Sequence, residues 1–178
     1  MHSALETRTL IIGNSGSGKS TLAEHVAVCA ACRVIDLDDI HWEKIPAGKK
    51  RDETLAIQMA ESVAGEPKWV IEGVYGWLAE AVTPRATALV WLNLPWNECK
   101  AGLEQRGARR GDTEVQFSEL LQWAERYWMR QTPTSFVGHS RIFEEFRGAK
   151  WALTNRSDVN DFQKSLKSHL SDRGDGTA

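Results

Sequence analysis

Gly13-Asn14-Ser15-Gly16-Ser17-Gly18-Lys19-Ser20, followed by Thr21, is the stretch that decides how this chain is read. It fits G-x-x-x-x-G-K-S, the phosphate-binding P-loop. Glycines let successive backbone N–H groups turn inward around phosphate oxygens. The lysine sets a cation against the β and γ phosphates, and the serine hydroxyl is a ligand for Mg²⁺. A helix starting at the loop points the positive end of its dipole at the same anion. Every residue from Gly13 through Asn14, Ser15, Gly16, Ser17, Gly18, Lys19 and Ser20 to Thr21 is thus a candidate nucleotide contact. Lys19 is in addition a candidate catalytic residue, and Ser20 a candidate metal ligand.

The flanks supply the context the motif needs. Arg8-Thr9-Leu10-Ile11-Ile12 is a short apolar, β-branched run that reads as a buried strand. After the loop, Leu22, Val26 and Cys29 recur at helical spacing. Strand, glycine loop and helix is the required order. Further out the pattern keeps alternating. Residues 33–37 read as a second strand. Residues 52–64 read as a helix with an apolar face of Leu55, Met59 and Val63, broken by Gly65, Glu66 and Pro67. Trp69-Val70-Ile71-Glu72 is a third strand ended by Gly73, and a short helix spans 77–82. Residues 88–94 form a fourth and very apolar strand. Pro95 opens a helix through Arg106, and a long helix spans 113–130. Residues 151–154 give a fifth strand, and Ser157 or Asp158 caps a last helix reaching about residue 170. This is an α/β fold of three layers, a five-stranded parallel sheet with helices on both faces and right-handed crossovers. One domain over 1–178 is expected, with insertions at about 40–66 and at about 107–138, the latter rich in arginine.

Bulk properties narrow the function classes. A net charge of −2 over 178 residues gives no basic excess, which disfavours nucleic acid as a partner. No run approaches the ~20 apolar residues of a membrane span. The N-terminus lacks a signal-peptide pattern, so a soluble cytoplasmic protein is expected. Cys29 and Cys32 form a C-x-x-C, but no second Cys or His pair lies at zinc spacing. They and Cys99 read as packing thiols. Of the eight tryptophans, Trp69, Trp91 and Trp151 read as core. Trp42, Trp77 and Trp96 follow strand ends, where ligands bind in open parallel sheets, so they are candidate pocket walls.

The same rule locates the remaining chemistry. Asp36, Asp38 and Asp39 follow the second strand, and Glu72 ends the third. Strand alternation sets Asp36 and Asp38 on one face. Asp38 is the candidate catalytic carboxylate on the acceptor side, Asp36 and Glu72 are candidate magnesium-side ligands, and Asp39 reads as a helix or turn cap. The second insertion carries Arg106, Arg109, Arg110, Arg126 and Arg130, a set suited to a lid that neutralises a triphosphate; Arg106 and Arg110 are the first candidates for catalysis. Arg126 and Arg130 share a helix face. Nothing separates Arg51 and Arg85 from surface residues, and Lys49-Lys50-Arg51 reads as a solvated run.

Four segments carry a resemblance when taken in order. They are the P-loop, the strand end Asp36-Leu37-Asp38-Asp39-Ile40-His41-Trp42, the segment Trp69-Val70-Ile71-Glu72-Gly73-Val74-Tyr75, and the run ending Asn93-Leu94-Pro95. The chain, over about residues 8–170, resembles the adenylate-kinase-related P-loop proteins, including those described as DNA topology modulation proteins, within the wider nucleoside-monophosphate, shikimate and gluconate kinase group. The resemblance implies the sheet order 2-3-1-4-5, a substrate-binding insertion after the second strand and an arginine lid after the fourth. It also implies that residues 155–159 pass the adenine, with Arg106 near the base or phosphates. The chain departs from its relatives after the third strand. Adenylate kinases carry Asp-Gly-Phe-Pro-Arg there; this chain has Glu72-Gly73-Val74-Tyr75-Gly76, without the arginine that grips an acceptor phosphate. The Gly-Gly-Gly run of shikimate kinases is absent, the lid has no cysteine for zinc, and no Asn-Lys-x-Asp guanine signature occurs. The expected function is transfer of the γ-phosphoryl of ATP, with Mg²⁺, to a small-molecule hydroxyl or phosphate acceptor. The alternative is a nucleotide-dependent regulatory or nucleic-acid-associated NTPase.

Overall fold

The computed structural model describes Leu5 and residues 7–44, 48–108 and 113–174, with side chains of the last helix described as far as Leu166. Five strands, β1 (Arg8–Gly13), β2 (Val34–Asp36), β3 (Trp69–Gly73), β4 (Ala88–Leu92) and β5 (Ala149–Leu153), form one sheet in the order β2-β3-β1-β4-β5. All neighbours are parallel. Ile11 sits opposite Glu72, Gly13 opposite Leu92 and Asp36 opposite Glu72. The three central strands are buried almost end to end because helices cover both faces.

Alternation along each strand sorts the core into two halves. Ile11, Val70 and Val90 face a cluster with Leu22 and Val26 of α1 (Lys19–Ala30), Cys99 of α5 (Trp96–Arg106) and Val159 and Phe162 of α8 (Arg156–Gly174). Leu10, Ile12, Ile71 and Leu89 face the other cluster. There they meet α3 (Glu53–Ala64), α4 (Gly76–Val82) and α7 (Phe136–Glu145).

Several element expectations are corrected. β2 ends at Asp36 because the Asp36 carboxylate accepts a 2.8 Å bond from the Asp38 N–H and starts a short helix, α2 (Leu37–His41). Asp36, not Asp39, is therefore the cap. On α3 the buried residues are Ala56, Ala60 and Ala64, whereas Leu55 is 46% exposed. The small side chains let α3 lie close to the sheet and α4, and volume, not hydrophobicity alone, selects the inner face. The helix expected over 113–130 stops as α6 (Glu114–Glu125) and tightens into a 3₁₀ turn over Arg126–Trp128. α7 follows, capped by Ser135; its Ile142 and the adjoining Phe146 are buried against the sheet, so the chain that leaves the insertion's C-terminal end joins the core layer. β5 begins at Ala149, and α8 is capped by Asn155, whose side-chain oxygen accepts from the Asp158 N–H at 2.9 Å. Asp158 accepts back from the Thr154 N–H and hydroxyl.

Candidate functional site

The P-loop joins β1 to α1 along the carboxyl edge of the sheet. Gly16 and Gly18 have φ of 79° and 95°, left-handed values open to glycine at little cost. Gly16 also has no room for a side chain: a Cβ there would lie 2.1 Å from the Cys99 carbonyl oxygen of α5. Lys19 is only 8% exposed, and its ammonium donates a 3.0 Å bond to the Asn14 carbonyl across the mouth of the loop. The Asn14 side chain faces away from the loop's concavity. Its Nδ2 donates to the Ala124 carbonyl of α6 at 2.9 Å, and its Oδ1 accepts from the Ser15 N–H. Of the Gly13–Thr21 stretch, Ser15, Gly16, Gly18, Lys19, Ser20 and Thr21 line a cavity of about 680 Å³, while Gly13, Asn14 and Ser17 lie behind it.

Strand order sets what else the cavity meets. β2 and β3 bring Asp36, Asp38, Glu72, Gly73 and Val74 to one side; α5 and the start of α8 bring Glu98, Gln105, Arg106 and Arg156 to the other. Glu72 is 3% exposed and accepts a 2.5 Å bond from the Ser20 hydroxyl. Burial, then the charges of Glu72 and Asp38, push the Asp36 carboxyl up to about 6; the Asp38 N–H and Lys19 pull it the other way. A carboxyl reluctant to ionise beside two others, with a serine hydroxyl next to them, is a donor set short of positive charge. A divalent cation fits it. Mg²⁺ is usually held by one or two carboxylates, substrate phosphates and water.

The arginines divide. Arg106 lines the cavity. Arg130 does not. It donates to the Trp123 and Thr134 carbonyls and stacks on the Trp123 ring, 4.2 Å from its centroid, tying the 3₁₀ turn to α6. Arg126 is exposed and does not line the cavity. Arg109 and Arg110 lie outside the described residues. Among the tryptophans, Trp96 packs against the α1 and α8 side of the core and is no pocket wall. Trp42 and Trp77 do not line the cavity either. They form a cluster with His41 and Tyr75.

No family model and no curated protein sequence matches the chain. Solved structures do. A shikimate kinase from Bacteroides thetaiotaomicron superposes with a TM-score of 0.59 at 18% identity, covering 93% of this chain and 98% of its own. A gluconokinase from Sinorhizobium meliloti 1021 gives 0.53 at 16%, covering 98% and 99%. An unliganded sugar kinase from Janibacter sp. HTCC2649 gives 0.53 at 16%, covering 92% of each chain. The chain shares the fold of these structures. The order 2-3-1-4-5 implied by the resemblance is the observed one.

Two features escape a reading of the sequence. Arg156 donates to the Ser17 carbonyl at 3.1 Å, with its guanidinium against Gly18, and so closes the loop from the β5 side. An arginine just after the last strand was its only signal. His139 of α7 is fully buried and bridges the Tyr127 hydroxyl, at 2.7 Å from Nδ1, and the Val74 carbonyl, at 3.0 Å from Nε2. With Nε2–H donating to Val74, Nδ1 accepts from Tyr127. Burial and nearby Lys19 hold its pKa down at about 3, which keeps it neutral. No helix among the described residues is long and apolar enough to cross a membrane.

Proposed function

We propose that this protein is a phosphotransferase that moves the γ-phosphoryl of Mg-ATP to a small-molecule acceptor. The observation that carries the reading is the shared cavity. Lys19 and Ser20 of a P-loop face the same space as Asp38, which comes from the opposite, β2 side. A triphosphate in the loop would extend its terminal phosphoryl toward that carboxylate.

The residues divide the work. Backbone N–H groups of residues 15–20 hold the β-phosphate oxygens, and Lys19 leaves the Asn14 carbonyl to bind β and γ oxygens. Ser20, with Asp36 and Glu72 through water, would hold magnesium, which spreads the negative charge that builds on the transferred group. Asp38 orients the acceptor and takes its proton. Arg106, with Arg110, neutralises charge on the γ-phosphoryl. The shikimate, gluconate and sugar kinases of like fold support the class of reaction and leave the acceptor open.

ADP formation from Mg-ATP, measured alone and with a panel of nucleosides, nucleoside monophosphates, sugars and shikimate, tests this. Acceptor-stimulated turnover is expected, reduced by Lys19→Ala about 100-fold or more. Turnover undiminished in Lys19→Ala would sink the P-loop assignment. ADP formation that no acceptor stimulates would point to an NTPase instead.

A further inference from the structure

We propose that Asn14 is a positioning residue of the donor site: anchored on α6, it holds Lys19 in place for the β and γ phosphates. This rests on the P-loop reading above and gives a role to a loop residue that lies behind the cavity.

The amide of Asn14 has one workable orientation. The Ser15 N–H can only donate, and the Ala124 carbonyl can only accept. Oδ1 therefore takes the first, at 2.8 Å, and Nδ2 gives to the second, at 2.9 Å. The residue is 1% exposed, so water does not compete for either bond. Aspartate at this position would lack the donor, and leucine would lack both groups. The far end of the tie is firm. Ala124 is fully buried and lies in the last turn of α6, where carbonyls run out of partners within their own helix. Arg130 donates to the preceding carbonyl, that of Trp123, and stacks on the Trp123 ring.

What this tie steadies is a backbone carbonyl. The Asn14 oxygen accepts from the Lys19 ammonium at 3.0 Å and from the Ser17 N–H at 3.3 Å. Lysine is a point charge on a flexible four-carbon stem, so its aim is set by its surroundings. Part of those surroundings pulls the wrong way. Asp36, Asp38 and Glu72 line the same cavity, and a loose ammonium would be drawn to them. Held on a neutral carbonyl of the loop itself, Lys19 stays beside the place where phosphate oxygens arrive. It exchanges one oxygen partner for another without crossing the cavity. The next turn of the loop is braced from the other side by Arg156 on the Ser17 carbonyl. α6 thus serves the donor site although none of its residues lines the cavity.

The test is a double-mutant cycle. Wild type, Lys19→Ala, Asn14→Ala and the double variant are titrated calorimetrically with ADP and with pyrophosphate, each with Mg²⁺. Asn14→Ala is expected to weaken both ligands about tenfold or more, the range for one hydrogen bond to a charged group. The two factors should match, because pyrophosphate offers the phosphates without the nucleoside. The double variant should bind no more weakly than Lys19→Ala alone, since Asn14 acts through that ammonium. Losses that multiply in the double variant would mean a merely structural role and would overturn the inference. So would a loss for ADP alone, or an Asn14→Ala that binds both ligands like wild type. Each of these leaves the P-loop reading standing. A wild type that binds neither ligand would overturn both. If Asn14→Ala does not fold, Asn14→Ser, which also lacks the amide but keeps a polar group at the buried site, carries the same cycle.

Discussion

Glu72 does two jobs through one carboxylate: it receives the Ser20 hydroxyl, and it crowds Asp36 across the β2–β3 pair. The crowding has a signed consequence. An unfolded chain releases the Asp36 proton near 3.8 and the folded chain near 6. The folded state thus favours the protonated form; its contribution to stability is full below about 3.8 and is lost as pH rises toward 6. Asp36→Asn keeps a carbonyl oxygen for the Asp38 N–H and removes the titration. In metal-free buffer the Tm difference between Asp36→Asn and wild type should widen in the variant's favour between pH about 4 and about 6.5. Parallel Tm–pH curves would refute it. Nucleotide with Mg²⁺ should narrow the gap, since a bound cation favours the ionised carboxylate in the wild type. His139 slopes the other way. Its folded pKa of about 3 lies below the ordinary 6.5, so its contribution to stability is present above 6.5 and lost as pH falls.

At the scale of elements, close approach matters as much as apolar area. α5 lies directly on the P-loop because Gly16 and Gly102 face each other; a Cβ on Gly102 would come 2.2 Å from the Gly16 carbonyl oxygen. That contact sets the cavity-facing side of α5, with Glu98, Gln105 and Arg106, beside the phosphate cradle. α3 uses its alanines in the same way. Ala60→Leu should therefore cost about 1–3 kcal/mol by overpacking, while Leu55→Ala, at a site 46% exposed, should change stability by less than about 0.5 kcal/mol. Urea unfolding of both variants checks the contrast. A larger loss from Leu55→Ala would restore the face that the Leu55, Met59 and Val63 spacing suggested.

Across the whole molecule, the 3₁₀ turn after α6, α7 and the loop after β3 are tied by one buried bridge, Tyr127 to His139 to Val74. Gly76 adds a second tie, donating from its N–H to the Thr134 hydroxyl. The base of the insertion after α5 is therefore rigidly joined to the backbone that lines the acceptor side, and Asn14 joins it to the P-loop through Ala124. Tyr127→Phe leaves the His139 Nδ1 buried without a partner. It should cost about 1–3 kcal/mol in urea unfolding. A change within about 0.3 kcal/mol would show that the bridge contributes nothing.

Local physics made much of this protein readable in one dimension. The P-loop is a chemical pattern within a few residues, the apolar strands follow from burial on both faces, and Asp36, Asp38 and Glu72 stand where those strands end. These features depend on neighbours along the chain, so the sequence by itself determined them. Arg156 at Ser17, 139 positions away, reaches the loop only because β5 pairs with β4, which pairs with β1. The packing of α7 just past the arginine-rich insertion, the alanine face of α3 and the duty of Arg130 as a brace depend on volumes and carbonyls that other elements supply. Only the tertiary structure decides those, because packing is a property of pairs of surfaces and no single segment holds both.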